Sequence, residues 1–491
     1  MYKKTFLSKG LLGRSLRGGA ALAMGTILER LARFVRNMIL ARILAPDQFG
    51  ISAIVIACSA FFEAVTDVGT GQSIIQNKAG DNKEYLNSVW WFNVARGTAL
   101  FTAGFFAAPL FAWFYKDPNL TAYLRVAFLT MFWNGLTSTG MYAKQRDLKF
   151  GTTVWVTQGS GLIGTIVTLC LAIFVKNVWV LVIGVVCEGM FRCILSFILC
   201  PIKPHLPIDK AASKDLSRFS RGMAGLPIFT FLVLQADVFV LGRVSSKEVL
   251  GMYFLALSLA NMPVMIFNKI ANPLLLPVFA RLQNDLQKLS SYLMKVTRLI
   301  LMFGLPMATC MAVFASPILT VVFGAKYAVM ALPFSILCYY FIFFMTGAPL
   351  ASIYLAVGQP ALHRSFTILR LALVGSLIYP AALFLGPAGV ASCLLLCFSL
   401  ATILQIYNMG KIIHLPPGKY LGSIKSGAFS ASIALVLGLL FKNFVNVPPI
   451  ASVGASVFIC LLVWTISILM NRANLRTALN PESNNSSIKE P

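Results

Sequence analysis

Fourteen long apolar runs divide this chain of 491 residues. A helix needs about 20 mostly apolar residues to cross the hydrocarbon core of a bilayer. The runs meet that length and leave only short connections between them. They are 18–43, 49–75, 86–114, 120–142, 151–174, 178–200, 219–243, 249–277, 296–316, 328–357, 365–384, 387–410, 421–441 and 447–470. The sequence therefore predicts an all-α, polytopic membrane protein with about 14 transmembrane helices.

The charge content excludes a soluble protein of this length. Charged residues make up 12% of the chain, whereas soluble domains carry about 25%. The net charge of +25 is typical of nucleic-acid binders, but in those proteins the basic residues cover a water-soluble face. Here they interrupt apolar runs, so we expect no nucleic-acid partner. The ten cysteines lie in or beside the runs without a CxxC pair, so we expect no metal site either.

The basic residues also indicate the orientation in the membrane. With a cytoplasmic N-terminus, the inner connections and the run ends beside them hold 27 Lys and Arg, and the outer ones hold eight. The other six are embedded more than five residues inside a run. Cytoplasmic loops carry such an excess, so we predict that both termini lie in the cytoplasm. The basic N-terminus is similar to the start of a signal peptide. However, Glu29, Arg30, Arg33 and Arg36 follow it, and these predict a retained first helix.

An internal repeat relates two parts of the chain. Residues 40–50 (LARILAPDQFG) and 241–251 (LGRVSSKEVLG) are 201 positions apart and share Leu, Arg and Gly at equivalent positions. Six predicted helices separate the copies, so both copies have the same orientation in the membrane, as in parallel transporter repeats. We predict an N-terminal lobe of helices 1–6 (1–217), a C-terminal lobe of helices 7–12 (218–412), helices 13–14 (413–470) and a disordered cytoplasmic tail (471–491).

Several motifs resemble one transporter family. Residues 44–50 (LAPDQFG) and 67–78 (DVGTGQSIIQNK) are similar to the opening of the polysaccharide-export branch of the multidrug/oligosaccharidyl-lipid/polysaccharide (MOP) exporter superfamily. Residues 144–150 (KQRDLKF), 272–285 (NPLLLPVFARLQND) and 322–327 (VFGAKY) resemble later parts of that branch. Within it, the chain is most similar to lipid-linked oligosaccharide flippases of the colanic-acid exporter type.

This resemblance implies a function. Such a flippase lies in the bacterial cytoplasmic (inner) membrane. It moves an undecaprenyl-diphosphate-linked oligosaccharide from the inner to the outer leaflet by alternating access, for surface polysaccharide biosynthesis. The expected partners are the lipid bilayer, that substrate, and the polysaccharide polymerase and export machinery. No nucleotide-binding GxxxxGK[ST] motif and no DxD motif occur. We therefore expect neither an enzyme nor a cofactor, and we leave open coupling to a proton or sodium gradient.

Ionisable residues inside the runs are the candidate site, because a charge in a bilayer is costly unless it faces a cavity or an opposite charge. Glu29, Arg33 and Arg36 are spaced to lie on one helix face. Guanidinium groups suit phosphate oxygens, so we predict that Arg33, Arg36 and Arg96 contact the substrate diphosphate. The alternative is that Glu29 and Arg33 form a structural ion pair.

Glu63 and Asp67, four residues apart, are the second candidate feature. Two close carboxylates repel each other when both are ionised, so one of them would hold a proton or share a cation. We predict that Glu29, Glu63 and Asp67 are cavity carboxylates or ion-coupling residues. The alternative is that Glu63 and Asp67 pair with arginines. Glu188 and Arg192 have the same four-residue spacing and are expected to be a structural pair.

The repeat also predicts two gates. Adding the offset of 201 to Arg36 leads to Asp237, and subtracting it from Lys269 leads to the neighbour of Asp67. Positions related by the repeat tend to face each other near the symmetry axis. We therefore predict an outer gate formed by Arg36 and Asp237 and an inner gate formed by Asp67 and Lys269.

Three other functions fit parts of the sequence. An ion-coupled multidrug exporter of the same superfamily should have a net acidic cavity, whereas the embedded set has six Lys and Arg against five acidic residues. A membrane enzyme such as a polysaccharide polymerase should have a sizeable outer loop, which the sequence lacks. A peptidoglycan-precursor flippase matches the motifs less well.

Overall fold

The computed structural model describes residues 2–66, 70–77, 80–206, 226–415, 417–445 and 447–470. All regular secondary structure in these ranges is helical, which confirms the all-α prediction. A π-helical turn (Trp155–Gly159) separates α8 from α9, and a 3₁₀ helix (Ala325–Met330) precedes α16. The α-helices are α1 (Tyr2–Ile43), α2 (Pro46–Val65), α3 (Thr70–Gln76), α4 (Lys83–Phe114), α5 (Leu120–Ala127), α6 (Leu129–Leu136), α7 (Gly140–Arg146), α8 (Phe150–Val154), α9 (Ser160–Phe174), α10 (Trp179–Leu199), α11 (Leu226–Val244), α12 (Lys247–Ala260), α13 (Met262–Leu282), α14 (Leu286–Val313), α15 (Ala315–Val322), α16 (Ala331–Ala356), α17 (Pro360–Ile412), α18 (Pro417–Phe444) and α19 (Pro449–Met470).

Ten helical segments of the described residues are long and apolar enough to cross a membrane, and α12 with the start of α13 forms an eleventh, bent by 40°. One of the ten, α17, contains Gly386 in a non-helical conformation (φ 56°, ψ −140°), so it consists of two arms joined at a kink. Two predicted spans differ from this set. Charges interrupt α1, and the run 120–142 is broken between the short helices α5 and α6. A multi-pass membrane protein is confirmed, and the number 14 stays a prediction.

The helices group into two compact units, Met1–Leu255 and Ala256–Pro491. In the first unit, α2 packs against α11, α4 packs against α5 and α6, and α10 packs against α9. In the second unit, α14 packs against α16 and α18, and α16 packs along α17. This grouping reflects proximity and does not test the repeat, so the lobe boundaries from the sequence stay predictions.

The two copies of the repeat meet inside the first unit. A Cβ atom on Gly50 would lie 1.9 Å from the carbonyl oxygen of Lys247, and one on Gly251 would lie 1.8 Å from the carbonyl oxygen of Pro46. Pro46 and Lys247 are themselves equivalent in the repeat, so the contact is reciprocal. Only glycine allows two helix backbones to approach this closely.

Helix α14 begins outside the apolar region at a capping residue. The Asp285 carboxylate accepts a hydrogen bond of 3.0 Å from the backbone N–H of Lys288. This bond stabilises the ionised form and lowers the pKa of Asp285. The Lys288 ammonium lies 3.0 Å from the same carboxylate, so this acidic group is already neutralised by its own helix.

Candidate functional site

Four charged side chains form a cluster in the first unit. Arg33 of α1 donates from Nε to Oε1 of Glu29 and from Nη2 to Oε2 of Glu188, the latter at 2.7 Å. The second oxygen of Glu188, on α10, lies 2.7 Å from Nη2 of Arg192. The side chains of Arg33 and Glu188 are 23% and 12% exposed, so the pairs are largely shielded from solvent. Two carboxylates and two guanidinium groups leave the cluster with no net charge.

Glycines on α9 make room for this cluster. A Cβ atom on Gly161 would lie 3.0 Å from both the Arg33 guanidinium and the Glu29 side chain. One on Gly164 would lie 2.9 Å from Cβ of Glu188. Because these positions carry no side chain, α1 and α10 can bring opposite charges together over the surface of α9.

A hydrogen-bonded network extends from the cluster to α2. Arg192 donates from Nη1 to Oδ1 of Asn134 on α6 at 3.4 Å. Asn134 donates from Nδ2 to Oε1 of Glu63 on α2 at 3.0 Å. Arg96 on α4 donates to the Thr66 hydroxyl at 3.0 Å and to the backbone carbonyl of Glu63 at 3.4 Å. Five helices therefore contribute to one polar network.

A close helix crossing places two members of the network side by side. A Cβ atom on Gly97 of α4 would lie 2.7 Å from the carbonyl oxygen of Met131 and 2.8 Å from Cα of Gly135 on α6. Arg96 and Asn134 are the sequence neighbours of these two glycines. The glycine contact thus brings their polar side chains to the same cavity.

Two cavities border the network. One, of about 440 Å³, is lined by Glu63, Asn93, Arg96, Asn134 and Tyr142 among other residues. The second, of about 200 Å³, is lined by Glu63, Asn134, Glu188 and Arg192 on its polar side. Oδ1 of Asn93 and Nε of Arg192 are buried without a protein hydrogen-bond partner. The cavities therefore offer both acceptors and donors to a polar ligand.

The remaining predicted site residues lie elsewhere or outside the described residues. Arg36 donates to Oδ1 of Asn37 at 3.1 and 3.2 Å. Asp237, 2% exposed, accepts from the Tyr253 hydroxyl at 3.1 Å. Among the described side chains, Arg36 and Asp237 form no ion pair with each other, so the outer gate stays a prediction. Asp67 and the side chain of Lys269 lie outside the described residues, so the inner gate is a prediction as well.

The structure also brings forward residues that the sequence interpretation missed. Asn134 joins Glu63 to Arg192, although nothing in its local sequence marks it. Arg370 is one of the 27 basic residues that the sequence assigns to the inner connections and run ends, but it lies within α17, where it donates to Gln405. Its position inside the predicted run 365–384 was the available signal. Within the part of the chain that the structure describes, no group of three or more His, Cys, Asp or Glu could hold a metal ion.

Comparisons with known proteins agree with this architecture. A family model described as "Polysaccharide biosynthesis protein" matches residues 39–332. The lipopolysaccharide biosynthesis protein WzxC of Escherichia coli (strain K12) is 24% identical over 400 residues, which is 81% of each chain.

Two solved structures have a similar fold. The lipid II flippase MurJ in an inward closed conformation matches with a TM-score of 0.73 over 92% of this chain and 99% of that chain, at 13% identity. An inward-facing multidrug resistance MATE family transporter of the MOP superfamily matches with a TM-score of 0.63 over 79% of this chain and 94% of that chain, also at 13% identity. The fold is that of a MOP-superfamily transporter.

Proposed function

Because the chain belongs to the polysaccharide biosynthesis protein family, we propose that it is a flippase for undecaprenyl-diphosphate-linked oligosaccharide. It moves this substrate from the inner to the outer leaflet of the bacterial cytoplasmic membrane by alternating access, without catalysing a reaction. The relative WzxC is named for lipopolysaccharide biosynthesis, and MurJ is named as a lipid II flippase. The observation that carries the proposal is the polar, arginine-containing network and its cavities inside an otherwise apolar helical unit.

Arg36 is the leading contact for the diphosphate. It hydrogen-bonds only to Asn37 among the described residues, so its charge is available to an anion. Arg96 lines the larger cavity and is the second contact. Arg33 is the third, but it already bridges Glu29 and Glu188, so an anion would have to compete with two carboxylates.

The sugar part of the substrate would occupy the larger cavity. Sugar hydroxyls both donate and accept, and the lining supplies amides, a carboxylate and a phenol. We place ion coupling at Glu63 with Asp67 and Glu29, through either protons or sodium. Glu63 is exposed to the cavities and accepts one hydrogen bond from Asn134, so it can exchange a proton or bind a cation.

We propose that both termini lie in the cytoplasm, which the distribution of 27 inner against eight outer basic residues supports. In that orientation the flipped substrate is delivered to the outer leaflet. A polysaccharide polymerase and export machinery would use it there.

Deletion of the gene tests the function. We expect one undecaprenyl-diphosphate-linked repeat unit to accumulate facing the cytoplasm, with loss of the corresponding surface polysaccharide. Extraction and mass spectrometry of lipid-linked sugars measure the accumulation and identify the sugar. Drug sensitivity with normal surface polysaccharide would instead indicate a multidrug exporter.

Replacing Arg36 with glutamine tests the diphosphate contact. Hydrogen bonds to charged groups contribute about 1.5–3 kcal/mol, so we expect a loss of roughly 10- to 100-fold in apparent substrate affinity. Flipping of lipid-linked oligosaccharide in proteoliposomes measures the effect. Arg30→Gln is the matched control, because Arg30 lies on the same helix and is exposed. Equal effects of the two substitutions would contradict the assignment.

A further inference from the structure

Arg370 occupies an unusual position in the second unit. It lies on the first arm of α17, and its Nη2 donates to Oε1 of Gln405 on the second arm at 2.7 Å. Its guanidinium carbon lies 5.1 Å from the ring centroid of Phe398. A Cβ atom on Gly347 of α16 would lie 3.2 Å from Nη2, so the absence of a side chain there makes room for the guanidinium. Three helical segments therefore surround one positive charge.

Among the described residues of this unit, no carboxylate is available to neutralise that charge. The sequence contains neither Asp nor Glu between residues 286 and 481. Asp285 is the sole acidic residue in the described part of the unit, and it is engaged by Lys288. A guanidinium placed among apolar helices without an anionic partner is destabilising, because an amide oxygen and an aromatic ring compensate only part of the lost hydration.

Unused hydrogen-bond donors surround the guanidinium. Nε of Arg370 and Nε2 of Gln405 are both buried without a protein partner, and Gln405 is 0% exposed. The hydroxyl of Thr402, one helical turn before Gln405, is also buried and unpartnered. Because Nη2 of Arg370 is bonded to the Gln405 amide, bond lengths keep the two unused nitrogen donors within about 7 Å of each other. The two unused nitrogens can only donate, so a ligand with acceptor oxygens would satisfy both.

We propose that Arg370 and Gln405 form an oxyanion-binding site in the second unit. The ligand is a phosphoryl or carboxylate group, whose oxygens accept from Nε of Arg370 and Nε2 of Gln405 while its charge neutralises the guanidinium. This site belongs to the second unit and uses none of the residues of the network around Glu188. If the proposed function is correct, this oxyanion is a phosphate or an acidic sugar of the transported lipid, so its identity rests on the proposed function. Oxyanion binding itself does not.

Thermal unfolding of the purified full-length protein in nanodiscs tests the site, with sodium pyrophosphate and sodium glucuronate as separate probes and sodium chloride at equal ionic strength as the baseline. We expect at least one probe to raise the Tm of the wild type and of Arg364→Gln, because Arg364 lies on the same arm and is exposed. Arg370→Gln should remove most of that increase. A response to pyrophosphate indicates a phosphoryl ligand, and a response to glucuronate indicates a carboxylate.

Two variants separate this role from a structural one. Without added oxyanion, Arg370→Gln should have a Tm equal to or above that of the wild type, because it removes an uncompensated charge. Gln405→Glu supplies the missing carboxylate inside the protein, so it should raise the Tm and also remove the same part of the response to the probes that Arg370→Gln removes. If the full increase persists in both variants, or no probe stabilises the wild type, the proposal is wrong. A wild-type protein that binds the oxyanion but does not flip lipid-linked oligosaccharide would contradict the flippase function instead.

Discussion

Alanine at Gly50 or at Gly251 should prevent α2 and α12 from closing against each other. The added Cβ atom would lie 1.9 or 1.8 Å from a backbone carbonyl oxygen, and such carbon–oxygen contacts normally require about 3.3 Å. Neither backbone can rotate away, so the helix ends must separate. Overpacking of this kind costs about 1–3 kcal/mol, which shifts a closed–open equilibrium by roughly 5- to 150-fold.

The direction of that shift follows from the predicted orientation. The connections that begin α2 and α12 are outer segments by the distribution of basic residues, so their contact closes the outer end. Either substitution should therefore favour an outward-open state and reduce flipping by about tenfold or more, since alternating access requires this end to close again.

Cysteine labelling measures this equilibrium. Ser59 lies on α2 and lines the smaller cavity, so Ser59→Cys in right-side-out vesicles should react faster with an impermeant maleimide when Gly50 is alanine. Cys170 is exposed and should first be replaced by serine. Gly375→Ala is the matched control, because a Cβ atom there meets nothing within 4 Å. Labelling and flipping unchanged from the wild type in both glycine variants would show that the contact is not a gate.

Local spacing predicted the contacts within helices but not those between them. Glu29–Arg33 and Glu188–Arg192 were recognisable from their four-residue separation, and both pairs form. The bond between Arg33 and Glu188 joins residues far apart in the chain. It depends on Gly161 and Gly164 of α9, and their role is visible only once the helices are packed together.

The interpretation of basic residues had a similar limit. Counting Lys and Arg predicts topology well when the charges lie in connections. However, it assigns each residue to an inner or an outer connection before the burial of its side chain is known. Arg370 was counted as an inner-loop charge, whereas the helix extends past it and buries its side chain against Gln405 and Phe398. In contrast, the repeat marked a contact between helices as well as a boundary in the chain, because its matching glycines, Gly50 and Gly251, lie at the point where α2 and α12 meet.

Removing the negative charge of Glu188 should destabilise the first unit more than any other single change in the network. Glu188→Gln leaves Arg192 without a carboxylate and Arg33 with only Glu29. Breaking a largely buried ion pair by removing one partner costs about 3 kcal/mol, because the remaining charge stays desolvated. We expect a clearly lower Tm in nanodiscs. Glu63→Gln is the control, because Glu63 is exposed and the glutamine oxygen can still accept the hydrogen bond from the Asn134 amide.

Two further measurements test whether the lost stability comes from the broken ion pairs and whether Glu188 competes with an anion for Arg33. Replacing Glu188 and Arg192 together by methionine should recover much of the lost stability, because an apolar pair of similar volume avoids the desolvation cost. Binding of pyrophosphate by Glu188→Gln should be unchanged or tighter, since Arg33 then has one competing carboxylate fewer. A protein that is stable without Glu188 would contradict the structural role of the cluster. If Glu188→Gln no longer binds pyrophosphate, Glu188 does not compete with the anion for Arg33. That result would contradict the assignment of Arg33 as an anion contact.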